Sequence, residues 1–160
     1  MEDPRWLTGA EYRAWIGYRR MRARLDLQLA RDLARDSGLS EPDYDVLSTV
    51  SEADGLRMRL SELAALMLWS KSRLSHHITR MQQRGLVTRE HCAEDGRGSV
   101  VVLTQAGWRA IEAAAPRHAA SVREHFIDLL TSDQIGALAD ITQTVLSRLA
   151  DIAEDQPSRI

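Results

Sequence analysis

The sequence predicts a mainly α-helical domain with a small β-hairpin. Three observations carry that expectation. Apolar residues recur at helical spacing through both ends of the chain, over about 8–37 and 104–153. Two short, capped helical segments separated by about three residues lie in the middle. Directly after them, two β-rich runs are joined by the charged, glycine-flanked turn AEDGRG.

The first helix opens on Thr8-Gly9-Ala10-Glu11, a capping box in which Thr8 accepts from the third helical amide and Glu11 reaches back. Its residues Trp15, Tyr18, Met21, Leu25 and Leu29 fall three or four apart, as one buried stripe requires. It is expected to end near Ser37-Gly38, where glycine tolerates a left-handed terminator. Ser40 caps a second helix with Pro42 early, Val46, Leu47 and Val50 inward, and an end around Asp54-Gly55. RMRL follows, too short to be more than an edge strand. Ser61 is placed as the cap of a short helix with Leu63, Ala64 and Met67, and Ser70 as the cap of another with Leu74, Ile78 and Met81, closed by Gly85. LVTREHC and SVVVLT then form the hairpin. Thr104 starts a helix that includes Ile111, Val122, Phe126 and Leu129, with Pro116 expected to kink or break it. A second capping box, Thr131-Ser132-Asp133-Gln134, opens the last helix, whose Ile135, Leu138, Ile141, Val145, Leu149 and Ile152 make an apolar seam.

At 160 residues the chain has the length of one domain with a real core. No apolar run reaches the length of a membrane span, and the N-terminus lacks a signal-peptide layout, so a cytoplasmic protein is expected. The lone cysteine, Cys92, excludes an intramolecular disulfide and a cysteine-based zinc site. The net charge of −2 conceals an uneven distribution. Between Arg57 and Arg89 stand seven bases and one acid, Glu62, which leaves −8 for the remainder. A basic module in an acidic body is the footprint of a polyanion binder. Twenty of the 21 bases are arginine, which suits contacts that need a fork of donors.

On a helical projection of residues 72–84, Leu74, Ile78 and Met81 fall within about 60° of one another and face inward. The opposite arc holds Ser72, His76, Thr79, Arg80 and Gln83, bordered by Arg73. Every side chain there donates or accepts a hydrogen bond and none is acidic, which fits a helix laid in a DNA major groove. An ordinary solvated helix face mixes both signs.

The ordered set of pieces from Leu60 to Trp108 resembles the MarR family of bacterial winged helix-turn-helix transcription regulators. The helix-turn-helix, the RGLV that leads into the wing, the EDGRG tip and the LTxxG exit occur in that family's order and spacing. The resemblance implies a winged helix-turn-helix over about 40–103, flanked by dimerisation helices at 8–37 and 104–153, in one domain of residues 1–160. It further implies a homodimer on double-stranded DNA bearing a palindromic operator, acting as a repressor that a small phenolic or anionic ligand releases. Carried onto this chain, Ser70, Lys71, Ser72, Arg73, Ser75, His76, Thr79 and Arg80 would be the recognition-helix contacts, and Ser61 the start of the preceding DNA-binding helix. Asp95, Gly96 and Arg97 match the wing motif, with the aspartate orienting an arginine that enters the minor groove. The chain departs from the common pattern at Leu68, where many members have glycine, at Gly98, where a second arginine is common, and at His77, a position often apolar.

His76 and His77 cannot chelate one ion together, because adjacent helical residues diverge by about 100°. His76 lies on the groove-facing arc, whereas His77 lies about 60° from the core stripe and is expected to pack its ring and hydrogen-bond with its nitrogens. His118 and His125, two turns apart, are too far separated for a zinc clamp, and neither metal nor cofactor is expected. Cys92 stands between Glu90 and Glu94, which disfavour a thiolate; a redox-sensing regulator through Cys92 is the alternative, as is a ligand-independent architectural protein. No nucleophile elbow, phosphate-cradling loop or paired catalytic carboxylates point to an enzyme. Trp15, Tyr18 and Tyr44 are candidates for a ligand pocket, against plain core, and Arg19, Arg20 and Arg22 for an anionic ligand's partners, against solvation.

Overall fold

A computed structural model describes residues 4–91 and 98–154. Helices α1 (Gly9–Ser37) and α2 (Glu41–Ser51) lead into strand β1 (Arg57–Arg59), followed by α3 (Leu60–Leu66) and α4 (Lys71–Gln83). Strands β2 (Val87–His91) and β3 (Ser99–Leu103) precede α5 (Gln105–His125) and α6 (Ser132–Glu154). By their internal contacts the residues divide into two units, one ending at Ser121 and the other starting at Val122.

The predicted caps at Thr8, Ser40, Ser70 and Thr131 form. Glu11 N donates to Thr8 Oγ1 and Thr8 N to Glu11 Oε2, and α1 ends at Gly38 with φ 68°. Ser40 and Asp43 make a second reciprocal box at the start of α2. Thr131 and Gln134 make a third before α6. Each satisfies amides that the first helical turn leaves without a partner.

The core of the first unit gathers Val46, Leu47 and Val50 of α2, Leu63 and Ala64 of α3, and Leu74, Ile78 and Met81 of α4. Leu33, Leu39, Leu86, Val87, Val101, Leu103, Ile111 and Ala114 close around them. The sheet is antiparallel with order β1-β3-β2, so the short RMR segment is indeed an edge strand. Arg57 pairs with Val102, and Val87 with Leu103. α1 and α5 are tied by a buried bond from Ser121 Oγ to Asp32 Oδ2 at 2.8 Å.

The LTxxG sequence has a direct physical reading. The Thr104 hydroxyl donates to Gly85 O at 2.6 Å and accepts from Gly107 N at 3.0 Å. A Cβ on Gly107 would lie 2.0 Å from Leu86 O, so only glycine lets α5 start this close to the strand.

Several expectations need correction. α3 starts at Leu60 with Arg59 in the capping position and no side-chain cap, so Ser61 lies inside the first turn and is not its cap. α2 ends at Ser51, short of Asp54-Gly55, and a 3-10 turn over Asp54–Leu56 takes its place, with Gly55 at φ 66° and Leu56 at φ 55°. α5 runs unbroken through Pro116; the break falls at Phe126, whose φ of −141° is not helical, so Leu129 belongs to a 3-10 turn. The stripe on α1 is not buried within one chain. Trp15, Tyr18 and Met21 are 50, 49 and 43% exposed, and only Leu25 and Leu29 are half-buried. Helical spacing reports which face is apolar and says nothing of whether its cover comes from the same chain.

Candidate nucleic-acid interface

Ser70 caps α4, its side chain accepting from Arg73 N at 3.2 Å. Leu74, Ile78 and Met81 are fully buried, which fixes the helix's rotation about its axis. Lys71, Ser72, Arg73, His76, Thr79 and Arg80 are then exposed and Ser75 is half-buried. The exposed arc carries four basic or imidazole side chains and no carboxylate, the electrostatics a phosphate backbone selects.

Much of this arc is braced from behind. Arg73 lays its guanidinium over the Trp69 ring, 4.0 Å from the centroid. Arg89, on β2, donates through Nη2 to Ser75 O at 3.0 Å, and Thr79 Oγ1 donates to the same carbonyl. Arg80 Nη2 lies 3.0 Å from His77 Nδ1. His77 is buried, as its place near the core stripe implied, and its ring stands edge-on to Trp69 with centroids 5.7 Å apart.

The hub of this bracing is Asp43, a residue the sequence reading did not single out. Only 3% exposed, it accepts from Ser40 N at 3.0 Å and from Arg84 Nη1 at 2.6 Å, and it sits 3.2 Å from His77 Nε2. Arg84 Nη2 also reaches Gly38 O at 3.3 Å. Asp43 and Arg84 together thereby join the end of α1, the start of α2 and the end of α4. Burial pushes the Asp43 carboxyl up, but donation from Arg84 and Ser40, together with the Arg84 charge, outweighs it and holds the group below the usual range. The legible signal was the S-x-x-D capping box at Ser40; nothing in the spacing showed that its carboxylate also meets Arg84, 41 residues on.

These pairings change the meaning of the basic run. Arg57 pairs with Glu90 at 2.7 Å, Arg84 with Asp43, and Arg89 with the backbone of α4. The charge that faces outward on α4 therefore comes from Lys71, Arg73 and Arg80. The wing residues Asp95, Gly96 and Arg97, and Cys92 beside them, lie outside the described residues. Ser61 is exposed in the first turn of α3.

The three aromatic candidates separate. Trp15 and Tyr18 stack on each other at 6.1 Å along α1, with Arg19 5.9 Å from the Trp15 centroid. Tyr44, on α2, packs on His118 of α5 at 4.4 Å. It lines a surface cavity of about 280 Å³ with Asp45, Ser48, Thr49, Leu66, Met67 and Trp69, to which Trp15 and Tyr18 do not contribute. Burial raises the Asp45 carboxyl in that wall, against a smaller opposing influence of His118. Among the described residues, no group of three or more His, Cys, Asp or Glu side chains is placed to hold a metal ion, and no helix is long and apolar enough to cross a membrane.

Comparison with known proteins agrees with this geometry. A sequence model described as the MarR family matches residues 37–98. The structure of AbsC, a MarR family transcriptional regulator from Streptomyces coelicolor, is 42% identical, with 92% of this chain and 99% of that one covered at a TM-score of 0.88. Sco3205, a MarR family transcriptional regulator from the same organism solved in complex with DNA, is 35% identical over 98% of this chain and 95% of its own, at a TM-score of 0.86. The transcriptional regulator HosA of Escherichia coli is 34% identical over 96 residues, 60% of this chain and 69% of its own length.

Proposed function

Because the chain belongs to the MarR family of DNA-binding transcription regulators, not to a class of enzymes, we propose that it is a homodimeric repressor of a palindromic operator, released by a small ligand. It acts in the cytoplasm, associated with the nucleoid when bound. The observation that carries the DNA-reading part is the outward arc of α4, acid-free and fixed in rotation by a buried apolar stripe and the Asp43 hub. Lys71, Ser72, Arg73, His76 and Arg80 are its reaching side chains, with Ser70, Ser75 and Thr79 setting the helix start and its middle turn. His76, exposed at the centre, contributes to base choice. The wing triplet Asp95-Gly96-Arg97 adds a minor-groove anchor on each protomer.

Dimerisation is supported by apolar side chains left uncovered in one chain, Trp15, Tyr18 and Met21 on α1 and Ile141, Val145 and Leu149 on α6. Two recognition helices related by a two-fold axis call for an inverted repeat with half-sites about one helical turn apart. For the ligand, the Tyr44 cavity favours a neutral phenol over a carboxylate. Asp45 in its wall accepts a hydrogen bond from a phenolic hydroxyl and repels an anion, while Trp69 and Tyr44 offer aromatic faces. Trp69 touches Arg73 and His77 of α4, so a molecule seated there bears on the recognition helix.

The test is a gel-shift titration on DNA from immediately upstream of the coding region. Specific binding to an inverted repeat is expected, and Arg97→Ala should weaken it by about tenfold or more, since both wings lose an anchor. Unchanged affinity of Arg97→Ala would remove the wing from the interface, and binding without sequence preference would replace the repressor by an architectural protein.

A further inference from the structure

Behind the exposed arc of α4, one buried residue grips an outward one. His77 is 6% exposed, while Arg80, one turn later, is exposed and brings Nη2 to 3.0 Å from His77 Nδ1. A guanidinium has only donors, so Nδ1 must accept and the ring proton must sit on Nε2. Nε2 in turn lies 3.2 Å from Asp43 Oδ1, on a carboxylate whose other oxygen accepts from Arg84 at 2.6 Å. The neutral imidazole thus accepts from Arg80 on one side and faces a carboxylate on the other. The charged groups that act on it are Asp43 from α2 and Arg80 and Arg84 from α4. Trp69, in the turn before α4, supplies an uncharged face and carries Arg73 on its own ring.

We propose that His77 is a positioning residue that aims Arg80 at DNA while its ring is neutral, so that mild acid frees Arg80 and weakens operator binding. The idea rests on the reading of Arg80 as a DNA contact. Holding Nη2 leaves most of the five guanidinium donors for phosphate or base edges and removes rotamer freedom before DNA arrives. A proton on Nδ1 reverses this: the acceptor becomes a donor facing another donor, and two cations stand side by side. Burial is the strongest influence on the ring and pushes its pKa down; Asp43 pulls the other way, and Arg80 and Arg84 push down again. The neutral ring is therefore the resident form at pH 7, and the change falls below the ordinary imidazole value of about 6.5.

The experiment measures operator affinity from pH 8 to pH 5 at fixed ionic strength for the wild type, His77→Asn, His77→Leu and Arg80→Ala. Asparagine offers a carbonyl acceptor near the place of Nδ1 and does not titrate. The two proteins differ only at position 77, so the ratio of their affinities cancels every contribution they share. That ratio should be near one at pH 8 and should move about five- to tenfold in favour of His77→Asn at pH 5, the net size of one hydrogen bond. His77→Leu should bind weakly at every pH. Parallel pH profiles for wild type and His77→Asn, or wild-type affinity in a folded His77→Leu, would overturn the positioning role. Undiminished affinity of Arg80→Ala would overturn the DNA-contact reading itself, so the two failures are distinct. Nitrogen NMR of the His77 ring gives a readout independent of DNA: Nε2 should carry the proton at pH 7.5, and a proton on Nδ1 would overturn the proposal.

Discussion

Leu68 occupies the turn between α3 and α4 with φ 54°, a left-handed conformation that a branched side chain adopts at a cost. The chain keeps the turn that glycine would make without strain, and the 93% exposed side chain gains no burial in return. Leu68→Gly should therefore stabilise the protein by about 1 kcal/mol, raising Tm by about 2–4 °C. A lower Tm would show that the leucine has a role in the turn. Asp43 is the opposite case, a residue whose cost of burial is offset by its partners. Its lowered carboxyl pKa contributes stability above the unfolded value of about 3.9 that is lost as pH falls through the folded one. His77, also lowered, binds a proton more readily unfolded than folded, so stability already declines as pH drops below about 6.5. Urea titrations from pH 8 to pH 3 should show the early part of this decline in the wild type and its absence in His77→Asn. Identical curves for the two proteins would place the ring outside the linkage.

At the scale of elements, the join between the wing and α5 is the least forgiving. Gly107 has the Leu86 carbonyl where a Cβ would stand, and Thr104 bonds to Gly85 and to Gly107 across the same junction. Gly107→Ala should displace the start of α5 and destabilise the protein by about 1–3 kcal/mol, the range for overpacking a tight contact. Denaturant midpoints would check this, and an unchanged midpoint would mean that the backbone at Leu86 yields freely. α4 shows why its own apolar stripe does not set its pose alone. Leu74, Ile78 and Met81 fix its rotation, but Asp43, Arg84 and Arg89 link it to α2, the end of α1 and β2. The exposed arc of α4 is thus presented on an element braced by polar contacts made behind it.

At the scale of the whole molecule, the uncovered apolar faces of α1 and α6 are the feature one chain leaves unresolved. Val145 and Leu149 are 52 and 55% exposed on a helix whose apolar side chains recur at seam spacing. If these faces form the proposed dimer, a double variant, Val145→Asp with Leu149→Asp, should sediment as a monomer where the wild type sediments as a dimer and should lose at least about tenfold in operator affinity, since two half-sites no longer bind as one unit. A dimer that persists in this variant would move the interface elsewhere. Much of the architecture was legible beforehand because its signals are local. Capping boxes at Thr8 and Thr131, the cap at Ser40, terminators at Gly38 and Gly85, and the change of period after Gly85 each depend on residues a few positions apart. The misplacements were of the same scale: Ser61 reads as a cap until β1 hands Arg59 that position, and Phe126 reads as helical until its φ turns. What the sequence by itself determined was the order of helices and strands and which face of α4 is free of acid. Only the tertiary structure decided which arginines are tied up behind α4 and which face outward. Those partners meet across 41 residues for Arg84 and Asp43, and 14 for Arg89 and Ser75, distances over which side-chain spacing carries no information and packing alone selects the pair.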